Sequence, residues 1–171
     1  MADVKEFAEA IGVPFTDLDL LLQAFVHRSY LNENPRFRTS HNERLEFLGD
    51  AVLELAVTEF LYEKYPEKPE GELTSYRAAL VNAKMLSEVA LGLGMNSYLL
   101  MSRGESKDTG RARQFLLANA LEALIGAIYL DRGYVLARDF IARTVLGHLP
   151  DVIEKKLFRD PKSLFQELAQ E

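Results

Sequence analysis

An all-α fold is what this chain predicts. Apolar residues recur at helical spacing over most of its length, no alternating strand pattern runs longer than four or five residues, and the breakers gather into a few short stretches. At 171 residues it has room for one core plus a short appendage, given roughly 150 residues per domain. With 48% hydrophobic and 27% charged residues and only 10 Gly and 6 Pro, disordered and fibrous classes drop out.

The first helix is expected over residues 4–11, stopped by Gly12 and Pro14. A second starts near the possible caps Thr16 and Asp17 and carries Leu18, Leu21, Leu22, Phe25 and Val26 on one face. Residues 32–40 read as loop, with Asn34, Pro35 and Thr39 as breakers. A long helix follows over 42–64, its inward stripe being Leu45, Leu48, Val52, Leu55 and Ala56, and Pro66 and Pro69 end it. Gly71 and Thr74 introduce a fourth helix through residue 91, with Leu73, Leu80, Val81, Met85 and Val89 apolar, before Gly92, Gly94 and Asn96 break the pattern. After a polar loop over 102–113, a helix over 114–131 is apolar nearly all round and belongs at the centre of a bundle. Another runs past Arg132 and Gly133 to residue 146, closed by Gly147 and Pro150. We expect one domain over 1–150 and a linker over 151–159, with a second helix start at Asp160 and Pro161.

The absence of cysteine excludes a disulfide scaffold, a zinc ribbon and a cysteine nucleophile, and fits a reducing, cytoplasmic location. Asp3, Glu6 and Glu9 at the N-terminus are unlike a secretory signal. No membrane span is expected: the longest apolar stretch, 115–130, is shorter than the roughly 20 residues a bilayer needs and is interrupted by Asn119 and Glu122. A net charge of −6, from 20 Lys and Arg against 26 Asp and Glu, argues against a generic phosphate-coating surface. Carboxylates gathered around divalent cations can still serve a polyanion, because the ions reverse the local sign of the field.

The placement of acids is therefore decisive. In residues 41–53, HNERLEFLGDAVL, Glu43, Glu46 and Asp50 lie at i, i+3 and i+7 and project along one helix edge, where they repel one another. A solvated acidic face is the ordinary explanation, weakened by the apolar Leu45, Phe47 and Leu48 around them. In residues 116–130, LLANALEALIGAIYL, Asn119 and Glu122 share one side of an otherwise apolar helix, so Glu122 needs a compensating partner, an arginine or a metal. If the two helices pack with these edges together, Glu46, Asp50, Glu122 and the Asn119 carbonyl make an all-oxygen set suited to Mg2+ or Mn2+ rather than zinc. In the loop over 102–113, Arg103, Lys107, Arg111 and Arg113 outnumber Glu105 and Asp108, which makes it a candidate phosphate-contacting element or an ordinary solvated loop. His27 and His41 read as capping or core hydrogen-bond partners, His148 as a surface residue, and Tyr62, Tyr65, Tyr98, Tyr129 and Tyr134 fall at core spacings.

The run HNERLEFLGDAVL resembles the signature of the ribonuclease III endonuclease domain, and QAFVHRSY, EGELTSYRAALVN and LEALIGAIYLDRGY extend the resemblance in order along the chain. The final DPKSLFQELAQE resembles the opening helix of the double-stranded-RNA-binding domain that usually follows in bacterial members, so residues 160–171 are expected to be its truncated start. The resemblance implies the all-helical fold of that endonuclease domain and a homodimer that cuts double-stranded RNA in rRNA and mRNA processing, leaving 5′-phosphate and 3′-hydroxyl ends with a short 3′ overhang. It implies Mg2+, with Mn2+ as substitute, held by Glu46, Asp50, Asn119 and Glu122, with Asp50 and Glu122 as the catalytic pair. Glu43 and Glu70 match further acids of the cleft, and Phe47 matches an aromatic residue that plugs into a socket on the partner subunit, although on residues alone it reads equally as core.

Asn119 departs from the pattern, since many members carry aspartate there. The site then loses one negative charge, and weakened metal binding is expected. A non-catalytic RNA-binding or ribosome-associated relative is the competing class and a purely structural bundle the third; only the first is favoured by Asn119, and neither explains why Glu46, Asp50 and Glu122 are kept together.

Overall fold

The computed structural model describes residues 3–107 and 109–158, and these form a helical body. Helix α1, Val4–Ala10, opens on Asp3, whose carboxylate accepts the Lys5 amide at 2.9 Å. Helix α2, Leu18–Ala24, is capped by Asp17, and Asp131 from far along the chain accepts from Thr16 and Asp17, which pins this start.

The second helix ends earlier than its apolar stripe suggests. Leu100 donates to the Phe25 carbonyl and accepts from His27 at 2.9 Å each, so residues 25–27 are drawn into a short bridge and a new helix α3, Arg28–Glu33, starts behind them. Helix α4, Glu43–Lys64, runs as expected. The single helix expected up to residue 91 is two, α5 at Glu70–Leu80 and α6 at Ala83–Gly92. Asn82 makes the break: its amide donates to the Ala79 carbonyl at 2.8 Å while its oxygen accepts from Met85 at 3.0 Å, closing one helix and opening the next.

Helix α7, Arg111–Thr144, begins three residues before its expected start and turns at Gly133, whose φ of 80° is open to glycine and costly for other residues. Pro150 does not end this region. It sits in the first turn of α8, Leu149–Glu154, where a missing N–H costs nothing. The stretch expected as a linker is folded as far as Phe158: Val152 is buried, and the Phe158 ring meets Tyr76 of α5 at 4.7 Å. The expected start at residues 160–171 lies outside the described residues.

The core sits around α7, which packs mainly on α4 and α6. This helix is long and apolar enough to cross a bilayer, yet more than half of its most apolar window is buried inside the fold. On α4, Leu45, Val52 and Ala56 face inward as expected, Leu48 does so partly, and Leu55 points out at 56% exposure. At the α4–α7 crossing the two backbones touch. A Cβ on Gly49 would lie 1.7 Å from the Glu122 carbonyl oxygen, and one on Gly126 would lie 2.3 Å from the Leu45 carbonyl oxygen.

Because these obstacles are backbone atoms, Gly49→Ala is expected to lower stability by about 3 kcal/mol, the upper end of overpacking costs. Gly71→Ala in α5, where a Cβ meets nothing within 4 Å, is expected to be neutral or slightly stabilising. Thermal unfolding of both variants checks the contrast, and equal melting temperatures would overturn it.

Candidate active site

The glycine contact decides what surrounds it. Glu46 and Asp50 flank Gly49 on α4, and Glu122 stands one turn before Gly126 on α7, so the acids of both helices meet along one rim. The Asn119 amide donates to the Glu46 carboxylate. Burial, followed by the charges of Glu43 and Asp50, nevertheless raises the Glu46 pKa above its ordinary value.

Glu122 is more strongly perturbed. Burial and then the charges of Asp50, Glu46 and Glu54 push it up to about 8. No described residue gives it a hydrogen bond or an ion pair, so of the two partners left open, arginine or metal, no described arginine serves. The oxygen-only donors around a carboxylate so placed fit a hard divalent ion. The side chains line a rim and do not close around a point: among the described residues no three His, Cys, Asp or Glu groups converge as a ligand cage.

The other expected site residues are distributed around this rim. Glu43 lies 3.7 Å from Arg28 and from His41 Nδ1, and together with Glu46, His27 and Asn119 it lines a small cleft of about 50 Å3. Glu70 is elsewhere, at the head of α5, where it accepts from Thr74 at 2.8 Å and edges a groove of about 630 Å3 between α4 and α5. Phe47 is not core: it is 83% exposed, on the same outward face of α4 as Leu55 and Tyr62. That face also corrects Tyr62, which its spacing had assigned to the interior and which is 75% exposed.

Arg103, Lys107 and Arg111 are exposed on the loop before α7, whereas Arg113 turns inward and donates to Asn96 at 2.9 Å. The loop is anchored at its start, since the Ser102 amide donates to Ser29 Oγ at 3.0 Å and the Arg103 amide to the Glu33 carboxylate.

A Ribonuclease-III-like family profile matches residues 17–149. Ribonuclease 3 of Treponema denticola is 45% identical over 168 residues, which cover 98% of this chain and 68% of that protein. The chain belongs to the ribonuclease III family. Among solved structures, the nuclease domain of ribonuclease III from Campylobacter jejuni superimposes with a TM-score of 0.77 at 37% identity, covering 88% of this chain and 98% of that one. A second structure of that Campylobacter domain, with the same TM-score and identity and covering 86% of this chain and 99% of that one, is described by structural flexibility in a region involved in dimer formation.

Within this ribonuclease III domain, sequence reasoning missed three things. Glu54 acts on Glu122 and could have been found, because it continues the edge of Glu46 and Asp50 at i+4. Gly49 and Gly126, glycines inside otherwise helical patterns, carried a signal for close backbone approach. His27 was expected as a cap and is one, for α3, but its place in the cleft had no local signal.

The shift of Glu122 fixes a sign. Between its ordinary 4.5 and about 8, the folded chain holds a proton that the unfolded chain has released, so stability falls as pH rises through that window. Allowing for solvent screening, the loss is on the order of 2 kcal/mol. In chelator, the melting temperature is expected to drop as pH rises from 4.5 to about 8, and Glu122→Gln to flatten the drop; an unchanged slope in the variant would assign the effect to other groups.

Proposed function

We propose that this domain is a Mg2+-dependent endoribonuclease that works as a homodimer on double-stranded RNA in the cytoplasm. It leaves 5′-phosphate and 3′-hydroxyl ends with short 3′ overhangs and serves rRNA and mRNA processing. Ribonucleases of this family are metal-dependent in general. The observation that carries the reading here is Glu122, a carboxylate half-buried beside Asp50, Glu46 and Glu54 with no cationic partner among the described residues.

A bound Mg2+, or Mn2+ in its place, supplies a water-derived nucleophile at neutral pH and relieves charge on the reacting phosphate. Glu46, Asp50 and Glu122 would hold it, with the Asn119 carbonyl as a neutral fourth oxygen. The amide of Asn119 keeps Glu46 oriented through the hydrogen bond it donates. Glu43, within 3.7 Å of Arg28 and of His41, forms the outer rim. The exposure of Arg103, Lys107 and Arg111 on or beside the anchored loop supports a role for them in meeting phosphates near the cut.

Dimerisation follows from the outward face of α4. Phe47, Leu55 and Tyr62 form an apolar stripe too exposed for an isolated subunit, and the groove between α4 and α5 offers Leu61, Tyr65 and Leu73 to receive it. A two-fold exchange of Phe47 into that groove carries Glu70, on the groove's edge, toward the partner's α4 acids. Two acid clusters then face one duplex, one for each strand.

The direct test incubates the protein with a long RNA duplex, with and without Mg2+, and looks for small double-stranded products. Glu122→Ala is expected to reduce cleavage by more than about 100-fold while duplex binding changes by less than about threefold. Equal loss of binding and cleavage would make Glu122 a folding residue. Phe47→Ala is expected to weaken self-association by about 2 kcal/mol, read as a shift from dimer to monomer in sedimentation, as for a buried aromatic anchor. A monomeric parent protein would remove the dimer from the reading.

A further inference from the structure

His27 is mounted more firmly than capping a helix of six residues requires. Its backbone amide donates to the Leu100 carbonyl at 2.9 Å, and Asn42, which donates to the Val26 and Ala24 carbonyls, packs the adjoining segment. Its ring nitrogen Nδ1 lies 2.8 Å from Ser29 Oγ and accepts the Ser29 backbone N–H at 3.4 Å. A backbone N–H can only donate, so Nδ1 carries no proton of its own and the neutral ring is protonated on Nε2. Ser29 Oγ in turn accepts the Ser102 amide at 3.0 Å, which leaves the hydroxyl proton for Nδ1 and couples the ring to the start of the basic loop.

The ring therefore offers one polar feature, an Nε2–H donor, and no described residue accepts it. Burial holds the His27 pKa below its ordinary value, against the opposing pull of Glu105 and Glu43, so the donor is uncharged at neutral pH. Because its one free nitrogen already bears a proton, His27 is unsuited to act as a base.

The ring lines the small cleft that Glu43, Glu46 and Asn119 also line. At about 50 Å3 this cleft is too small for a base or a ribose and takes a single protruding group. Its polar walls combine neutral donors, the His27 ring and the Asn119 amide, with the carboxylates of Glu43 and Glu46, which only accept. A phosphate oxygen, itself only an acceptor, can take the ring N–H but has no proton to give the carboxylates. A hydroxyl fits it, because it accepts from one wall and donates to the other. A-form RNA presents a row of such hydroxyls along its shallow minor groove, and DNA has none.

We propose that His27 donates through Nε2–H to a ribose 2′-hydroxyl beside the cut, with the cleft carboxylates accepting from that hydroxyl, so that this residue contributes to the choice of RNA over DNA. The assignment rests on the endoribonuclease reading above and adds a specificity-determining contact to it.

Two substitutions separate the two ends of the ring. His27→Asn keeps an acceptor near the Nδ1 position and remains a good helix cap, but it lacks the Nε2–H. His27→Gln places an amide N–H near the Nε2 position. On duplex RNA with Mg2+, His27→Asn is expected to lower kcat/KM about tenfold with its melting temperature nearly unchanged, and His27→Gln to recover most of the loss.

Duplexes carrying single 2′-deoxy nucleotides around the cut supply a second readout. One position should cost the wild-type protein about tenfold and cost His27→Asn nothing further, while other positions affect both equally. Wild-type rates in His27→Asn, or deoxy penalties that simply add to its defect at every position, would overturn the contact and leave the endoribonuclease standing. A wild-type protein that leaves duplex RNA intact would overturn the function itself. If His27→Asn fails to fold, the scan on His27→Gln decides: retention of the single-position penalty supports the contact, and its loss refutes it.

Discussion

Two carbonyl oxygens resting where side chains would normally be are the constraint on which this fold and its site depend. Gly49 and Gly126 let α4 and α7 approach until the backbone of each occupies the other's missing Cβ. At that separation the residues one turn away have no freedom to avoid each other. Glu46 and Asp50 on one helix and Glu122 on the other are forced onto a common rim, and burial of Glu122 strengthens every repulsion it feels. Nothing in this arrangement is stabilising by itself. It persists because the apolar faces of the same two helices bury Leu45, Val52, Leu53, Leu121, Leu124 and Ile125 in the core, and the fold tolerates a locally unfavourable cluster of charge.

That local cost explains how an acidic chain handles a polyanion. With a net charge of −6 the protein has no general attraction for RNA, although Arg103 and Lys107 are exposed together on one loop. A divalent ion on the rim would invert the sign of the field at the one place where a phosphate must come close. Catalysis and local recognition then share a single requirement. The loop's attachment to α3 through Ser29 and Glu33 fixes where it starts beside that helix.

The long amphipathic elements were legible because period and capping agree with burial: α4 and the apolar body of α7 lie where their spacing puts them. The breaks were not, because each is made by a distant or ambiguous partner. Leu100 ends α2 by pairing with residues 25–27, and Asn82, which a periodicity count accepts as helical, divides α5 from α6. Leu55 and Tyr62 were placed inside since an apolar side chain at helical spacing carries no label for which surface it meets, and on α4 the outer surface is apolar too. For the site, the acids could be read from composition and spacing alone, whereas their juxtaposition required the helix crossing. Glu70 shows the limit, because a family likeness names it with the cleft acids while within one subunit it edges a separate groove.

Asn119 brings these strands together. An aspartate at this position would add a further carboxylate beside Glu46, whose charged form is already disfavoured by burial, Glu43 and Asp50. The amide instead donates a hydrogen bond that acts in the opposite direction and favours the charged form of Glu46. It thereby removes one charge from the attraction for a cation and relieves part of the repulsion that the helix crossing imposes when no cation is there. Its oxygen remains able to face a hard ion while its nitrogen holds a neighbouring donor in place. If the rim holds a cation as proposed, an amide at the edge of the cluster would exchange cation affinity for order, and Glu46, Asp50 and Glu122 would remain as its acidic donors.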